Sequence, residues 1–121
     1  MPGTDPPGPE PATLEQARAA EYQALEILRS RGYLVLRSGS QGSPVHLMAC
    51  REKEPPLFVR IKRTRKPAGS VSEVVERWIE EIELLRVLVS LGGTVQFWVH
   101  SNQQGWQVYE VLRGGVTEVQ D

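Results

Sequence analysis

Two stretches hold most of the side chains with obvious chemistry. The first runs from Arg37 to His46 through a glycine-serine segment, and the second is Leu57-Phe-Val-Arg-Ile-Lys-Arg-Thr-Arg-Lys66. Arg60, Lys62, Arg63, Arg65 and Lys66 crowd into the end of that second stretch. Cations so clustered bind phosphates through charge, without reading sequence. Arg37, Ser38 and Ser40 add a guanidinium and two hydroxyls upstream. The loop 38–44 can donate backbone amides to a phosphate or serve as a plain connection. It is not a P-loop, because no Gly-Lys-Ser/Thr follows and the next element reads as a strand.

Other chemistries are removed by what the chain lacks. Asp occurs only at Asp5 and Asp121, outside the segments that read as folded, so every core carboxylate must be a Glu. A Ser-His-Asp triad then has no Asp to orient its base. His46 and His100 with the single Cys50 fall short of a tetrahedral zinc set, and alternation buries Cys50 beside His46 on one strand face.

The elements that must position these groups follow from pattern. Residues 1–12 hold five of the nine prolines and read as a disordered tail. Thr13 with Gln16 has the capping-box spacing and opens a helix to about Arg31, where Gly32 supplies the stop. Its apolar stripe is Leu14, Ala17, Ala24, Leu25 and Leu28, and helical spacing sets Glu21 on that stripe. A carboxylate there is costly unless it is paired or bound, or sits at the stripe's edge and reaches water. Strands follow at 33–37, at 45–51 and at 57–63. The middle one carries His46, Met48 and Cys50 on one face and Val45, Leu47 and Ala49 on the other. On the third strand Leu57, Val59 and Ile61 share one face, and Phe58, Arg60 and Lys62 the other. Ser70 with Glu73 repeats the capping box and opens a long helix to about Leu91. Its apolar arc includes Val71, Val74, Val75, Trp78, Ile82, Leu85 and Val89, widened by Ile79, Leu84 and Leu88. Strands at 94–100 and 106–111 flank a turn. Residues 13–113 thus read as one α/β domain of order α-β-β-β-α-β-β, a mixed sheet with flanking helices, followed by a C-terminal tail at 114–121.

Overall charge is −1, but its distribution is polarised. Residues 51–66 carry seven cations against Glu52 and Glu54, whereas 71–91 carry five Glu against Arg77 and Arg86. That suits one anion-facing side or a solvated charged face. No apolar run is long enough to span a membrane, and a lone cysteine favours a reducing, cytoplasmic setting.

The succession of a helix Glu, a strand, the Arg-Ser-Gly-Ser loop, a Pro-Val-X-Leu strand and an X-Ile-Lys strand resembles the PD-(D/E)XK nuclease superfamily, and archaeal Holliday-junction resolvases in particular. The resemblance covers about Ala17 to Val111. It implies a restriction-endonuclease-like fold and a magnesium-dependent site for phosphodiester cleavage. Carried over, the helix Glu falls on Glu21 and the strand Lys on Lys62, and both match. The Asp position holds His46 and the strand Glu position holds Arg60, and neither matches. Arg60 would set a permanent cation where the metal belongs, so no cofactor is expected, and Glu21 and Arg60 are expected to pair with His46 beside them.

Three functions fit these residues. One is a nuclease-fold protein that has lost cleavage and binds nucleic acid (branched or duplex DNA) or a nuclease partner, using Arg37, Ser38, Ser40, Lys62, Arg63, Arg65 and Lys66. Another is a dimeric interaction module built on the broad arc 71–91 with Trp98 and Trp106. The last is an active junction endonuclease with relocated ligands, drawn from Glu52, Glu54 or Glu73, using magnesium or the softer manganese. Resemblance to the resolvases also implies a homodimer.

Overall fold

The computed structural model of the chain describes residues 13–39 and 42–120. The proline-rich segment 1–12, Ser40 and Gln41 lie outside the described residues.

Helix α1 (Leu14–Ser30) starts where Thr13 and Gln16 exchange both bonds of a capping box. It ends at Arg31, after which Gly32 takes a positive φ of 89°, a conformation open to glycine because it has no Cβ. Strands β1 (Leu34–Arg37), β2 (Leu47–Cys50) and β3 (Leu57–Thr64) form an antiparallel meander. Helices α2 (Val71–Arg77) and α3 (Ile79–Ser90) then carry the chain across to β4 (Thr94–Ser101), which runs parallel to β3. Strands β5 (Gly105–Leu112) and β6 (Gly115–Val119) complete a six-stranded mixed sheet in chain order.

Alternation along β3 decides which helix covers which face. Leu57, Val59 and Ile61 pack with Ala20, Ala24, Leu25 and Leu28 of α1, together with Val35, Leu47, Ala49 and Trp98. Leu28 is 1% exposed, and truncating a leucine at such a site to alanine costs about 2–5 kcal/mol. The opposite face carries Val95, Phe97, Val99, Tyr109 and Val111 against Val74, Ile82 and Leu85 of the other two helices. Burial lifts the Tyr109 phenol to about 12, and its hydroxyl donates to the Gly69 carbonyl at 3.0 Å.

Four expectations change. The stripe on α1 is rotated, so that Leu14 and Ala17 are exposed and Ala20 joins the core. The single helix from 71 to 91 is broken at Trp78, whose backbone takes φ −122° and ψ 37° while its ring packs 5.3 Å from Phe97. The half-buried indole packs on Phe97 at the break, where no Pro or Gly in the sequence announces a change of direction. His46 precedes β2 rather than lying within it. Residues 115–119, expected in a tail, form β6, joined to β5 by the two-residue turn Arg113-Gly114.

Candidate functional site

The meander brings the chemistry to one end of the sheet. Arg37 closes β1, His46 immediately precedes β2, and β3 runs on past its pairing with Leu47 toward Lys62 and Thr64. Parallel β3 and β4 present their C-terminal ends there too, the place where ligands bind in open α/β sheets. A cavity of about 590 Å³ opens at this end. Its walls are the first turns of α1, the loop flanking Pro44, His46, Arg60, and Glu81 with Leu84 of α3.

The expected Glu21–Arg60 ion pair does not form. Glu21 instead accepts from Arg37 Nε at 2.7 Å, with its side chain 13% exposed. Arg37 also lies over the Tyr22 ring at 4.7 Å. Arg60 faces away from α1, because that helix covers the Leu57, Val59 and Ile61 side of β3. Its partner is Glu81 of α3, whose Oε1 lies 2.7 Å from Arg60 Nε and 2.5 Å from Nη2. Lys62 Nζ joins the same oxygen at 2.7 Å, while Arg60 Nη1 donates to the carbonyls of Ser43 and Pro44 at 3.2 and 3.0 Å. Arg60 thereby ties the glycine-serine loop to α3. Both carboxylates of the cavity wall are held by protein cations.

His46 sits between the two pairs. Its Nδ1 accepts the Ile61 backbone N–H at 2.8 Å, which fixes the neutral tautomer with its proton on Nε2. Burial, then the charge of Arg60, holds the ring below the ordinary histidine range. The site therefore offers an N–H donor on His46 beside the guanidinium groups of Arg37 and Arg60.

The metal ligands implied by the nuclease resemblance do not fit these residues. Glu21 is engaged by Arg37, Arg60 stands at the strand Glu position, and the nitrogen of His46 that carries a lone pair is already an acceptor. Glu54 binds Arg51 at the β2–β3 turn, at the far end of β3, with Glu52 beside it in sequence. Glu73 closes the capping box with Ser70. The alternative ligands are therefore not brought to the cavity. Among the described residues, no group of three or more His, Cys, Asp or Glu is arranged to hold a metal ion.

Of the other expected contacts, Arg63 is half-buried and donates to the Thr64 carbonyl at 3.1 Å. Arg65 and Lys66 are exposed just beyond β3. Ser40 lies outside the described residues. Glu81 was missed, although it occupies the same kind of position as Glu21, three residues after Trp78 and four before buried Leu85. Trp98 is buried in the core and offers no surface for a partner. Among the described residues no helix is long and apolar enough to cross a membrane. No protein-family model and no curated protein matches the chain.

Proposed function

We propose that this chain is a restriction-endonuclease-like protein that has lost metal-dependent cleavage and binds nucleic acid, DNA in particular, at the basic end of its sheet. One observation carries the reading. Glu21, where the resemblance puts a metal-binding Glu, is paired with Arg37, and Arg60, at the strand Glu position, is paired with Glu81 alongside Lys62. Carboxylates engaged in this way by protein cations are poor ligands for magnesium, which supports the loss of cleavage. Arg65 and Lys66 are exposed just past the end of β3, Arg63 stands at the same end on the opposite face of the strand, and His46 adds a neutral donor.

Binding of this kind follows the phosphate backbone and weakens steeply with salt. A gel shift with a four-way junction and a plain duplex across a salt series, with cleavage scored in the same tubes, tests it. Salt-sensitive binding with intact DNA is the expected result. Binding that ignores salt, or strand cleavage by the parent protein, defeats the reading.

A second reading has its own observation. Leu84, Val87 and Leu91 are exposed along α3, with Ile79 near its start. Their spacing sets Leu84, Val87 and Leu91 on one stripe, and such a stripe suits self-association as a homodimer. Sedimentation at high micromolar concentration tests it, and a monomer there rejects it. The single, half-buried Cys50 accords with a reducing, cytoplasmic setting.

A further inference from the structure

Strand register builds a row of side chains outside the cavity just described. Arg63 of β3 pairs with His100 of β4, and His100 pairs with Trp106 of β5. Alternation places all three on the face that carries Ile61, Trp98 and Val108. That face is covered by α1 over β1 and β3, and Ile27 and Arg31 at the end of the helix lie toward β5 and β6. A second cavity of about 420 Å³ remains there, lined by Ile27, Arg31, Trp98, Trp106, Val108 and Val119. Its size lies within the roughly 300–1,000 Å³ of small-molecule sites.

Trp106 is half-buried at the mouth of this space. Its indole stands edge-on to Trp98 at 5.6 Å and to His100 at 4.9 Å, so two neighbours fix the ring's plane. Neither Trp106 Nε1 nor His100 Nδ1, both buried, finds a hydrogen-bond partner among the described residues. Burial, then the charge of Arg63, holds His100 below the ordinary histidine range, so near neutral pH it adds aromatic surface rather than charge.

We propose that the Arg63–His100–Trp106 row is a stacking platform for an unpaired nucleobase, whose strand carries its phosphates onto Arg63, Arg65 and Lys66. The inference rests on the nucleic-acid reading above and specifies its substrate as a strand with exposed bases. Every base presents a π-face, so a tryptophan platform is sequence-tolerant. A duplex hides those faces, so the same platform favours single-stranded or unpaired segments. The distance between phosphates and base is the width of the sheet row, two strand spacings of about 4.8 Å each.

The test uses the full chain and fluorescein-labelled oligothymidylate, with a labelled duplex alongside, read by anisotropy. Trp106→Leu should lose about tenfold in affinity for the single strand, the scale of one base–aromatic stack, with duplex binding and the salt slope unchanged. Trp106→Phe should keep most of the single-strand affinity, because it keeps an aromatic face. Oligothymidylate should also quench part of the tryptophan emission of the parent, and that part should vanish in Trp106→Phe, a readout that survives if the leucine variant fails to fold. Equal losses on single strand and duplex overturn the platform, as does quenching unaltered by Trp106→Phe. Duplex binding through the basic end with an indifferent Trp106 overturns the platform alone. A parent that binds neither probe overturns both the platform and the reading beneath it.

Discussion

Replacing Glu81 by Gln should weaken the fold and strengthen nucleic-acid binding at once. Glu81 Oε1 is the shared anchor of Arg60 and Lys62, with contacts of 2.5 to 2.7 Å. The side chains of Arg60, Glu81 and Lys62 are 20%, 23% and 30% exposed, so solvent screens the network only in part. Exposed pairs contribute about 0.2–1 kcal/mol, and breaking a fully buried pair costs about 3–5 kcal/mol. An intermediate site gives a cost of about 1–2 kcal/mol. In a domain of this size each kcal/mol lowers the melting midpoint by roughly 4–8 °C. The glutamine retains the shape and an acceptor oxygen, so the loss is one of charge. Arg60 keeps its bonds to the Ser43 and Pro44 carbonyls and remains at the cavity, now free to meet a phosphate. The dependence of log K on log salt should steepen by about 0.9 for each cation transferred to the nucleic acid. Calorimetric melting and anisotropy titrations over a salt series read both effects. A Glu81→Gln protein that melts with the parent and shows the parental salt slope would refute the network. A double-mutant cycle with Arg60→Gln should show coupling of about 0.5–3 kcal/mol, and simple additivity would place the two residues out of contact.

Other outcomes follow from the same geometry. Neutralising Arg63, Arg65 and Lys66 together should weaken binding to all duplexes alike and flatten the salt slope by about one unit per lost contact; parental affinity in the triple variant would make this end a solvated surface only. His46→Leu strands the Ile61 N–H now bonded to Nδ1 and should cost about 1–3 kcal/mol, whereas His46→Asn, which restores an acceptor, should melt closer to the parent. Both histidines have folded-state values below 6.5, so the unfolded chain binds more protons as pH falls. Their contribution to stability should be complete above that pH, decline below it and level off beneath the folded-state values. Melting midpoints across that range check the sign, and a midpoint that rises on acidification from pH 6.5 contradicts it.

The helical spans and five of the strands could be read from pattern because their signals are local, whereas the break at Trp78 that divides α2 from α3 could not. Both capping boxes lie in the sequence and both form, and the alternation of β3 correctly separated Val59 and Ile61 from Arg60 and Lys62. The sixth strand was missed because Gly114-Gly115 and a short polar alternation read as a tail, although Arg113-Gly114 fits a two-residue hairpin turn. The partner of Arg60 was misassigned for a different reason. Alternation says that Arg60 and Val59 face opposite ways, but not which helix lies on which side. Once α1 takes the apolar face of β3, Arg60 must find its counter-ion on α3, and of Glu80, Glu81 and Glu83 it is Glu81 that meets it. Ion-pair choice is thus a tertiary matter decided by which helix lands where. The stacking row was equally hidden, since Arg63, His100 and Trp106 are brought abreast only by strand register.

The proposed binding of nucleic acid at the basic end of the sheet goes with carboxylates, Glu21 and Glu81, that are held by protein cations. The most direct measurement incubates the protein with labelled four-way junction and duplex, with magnesium or manganese and across a salt series, and resolves bound and cleaved DNA together. Bound, uncleaved DNA whose affinity falls linearly in log salt is the expected result. Metal-dependent cleavage by the parent, or no complex at low salt, contradicts it.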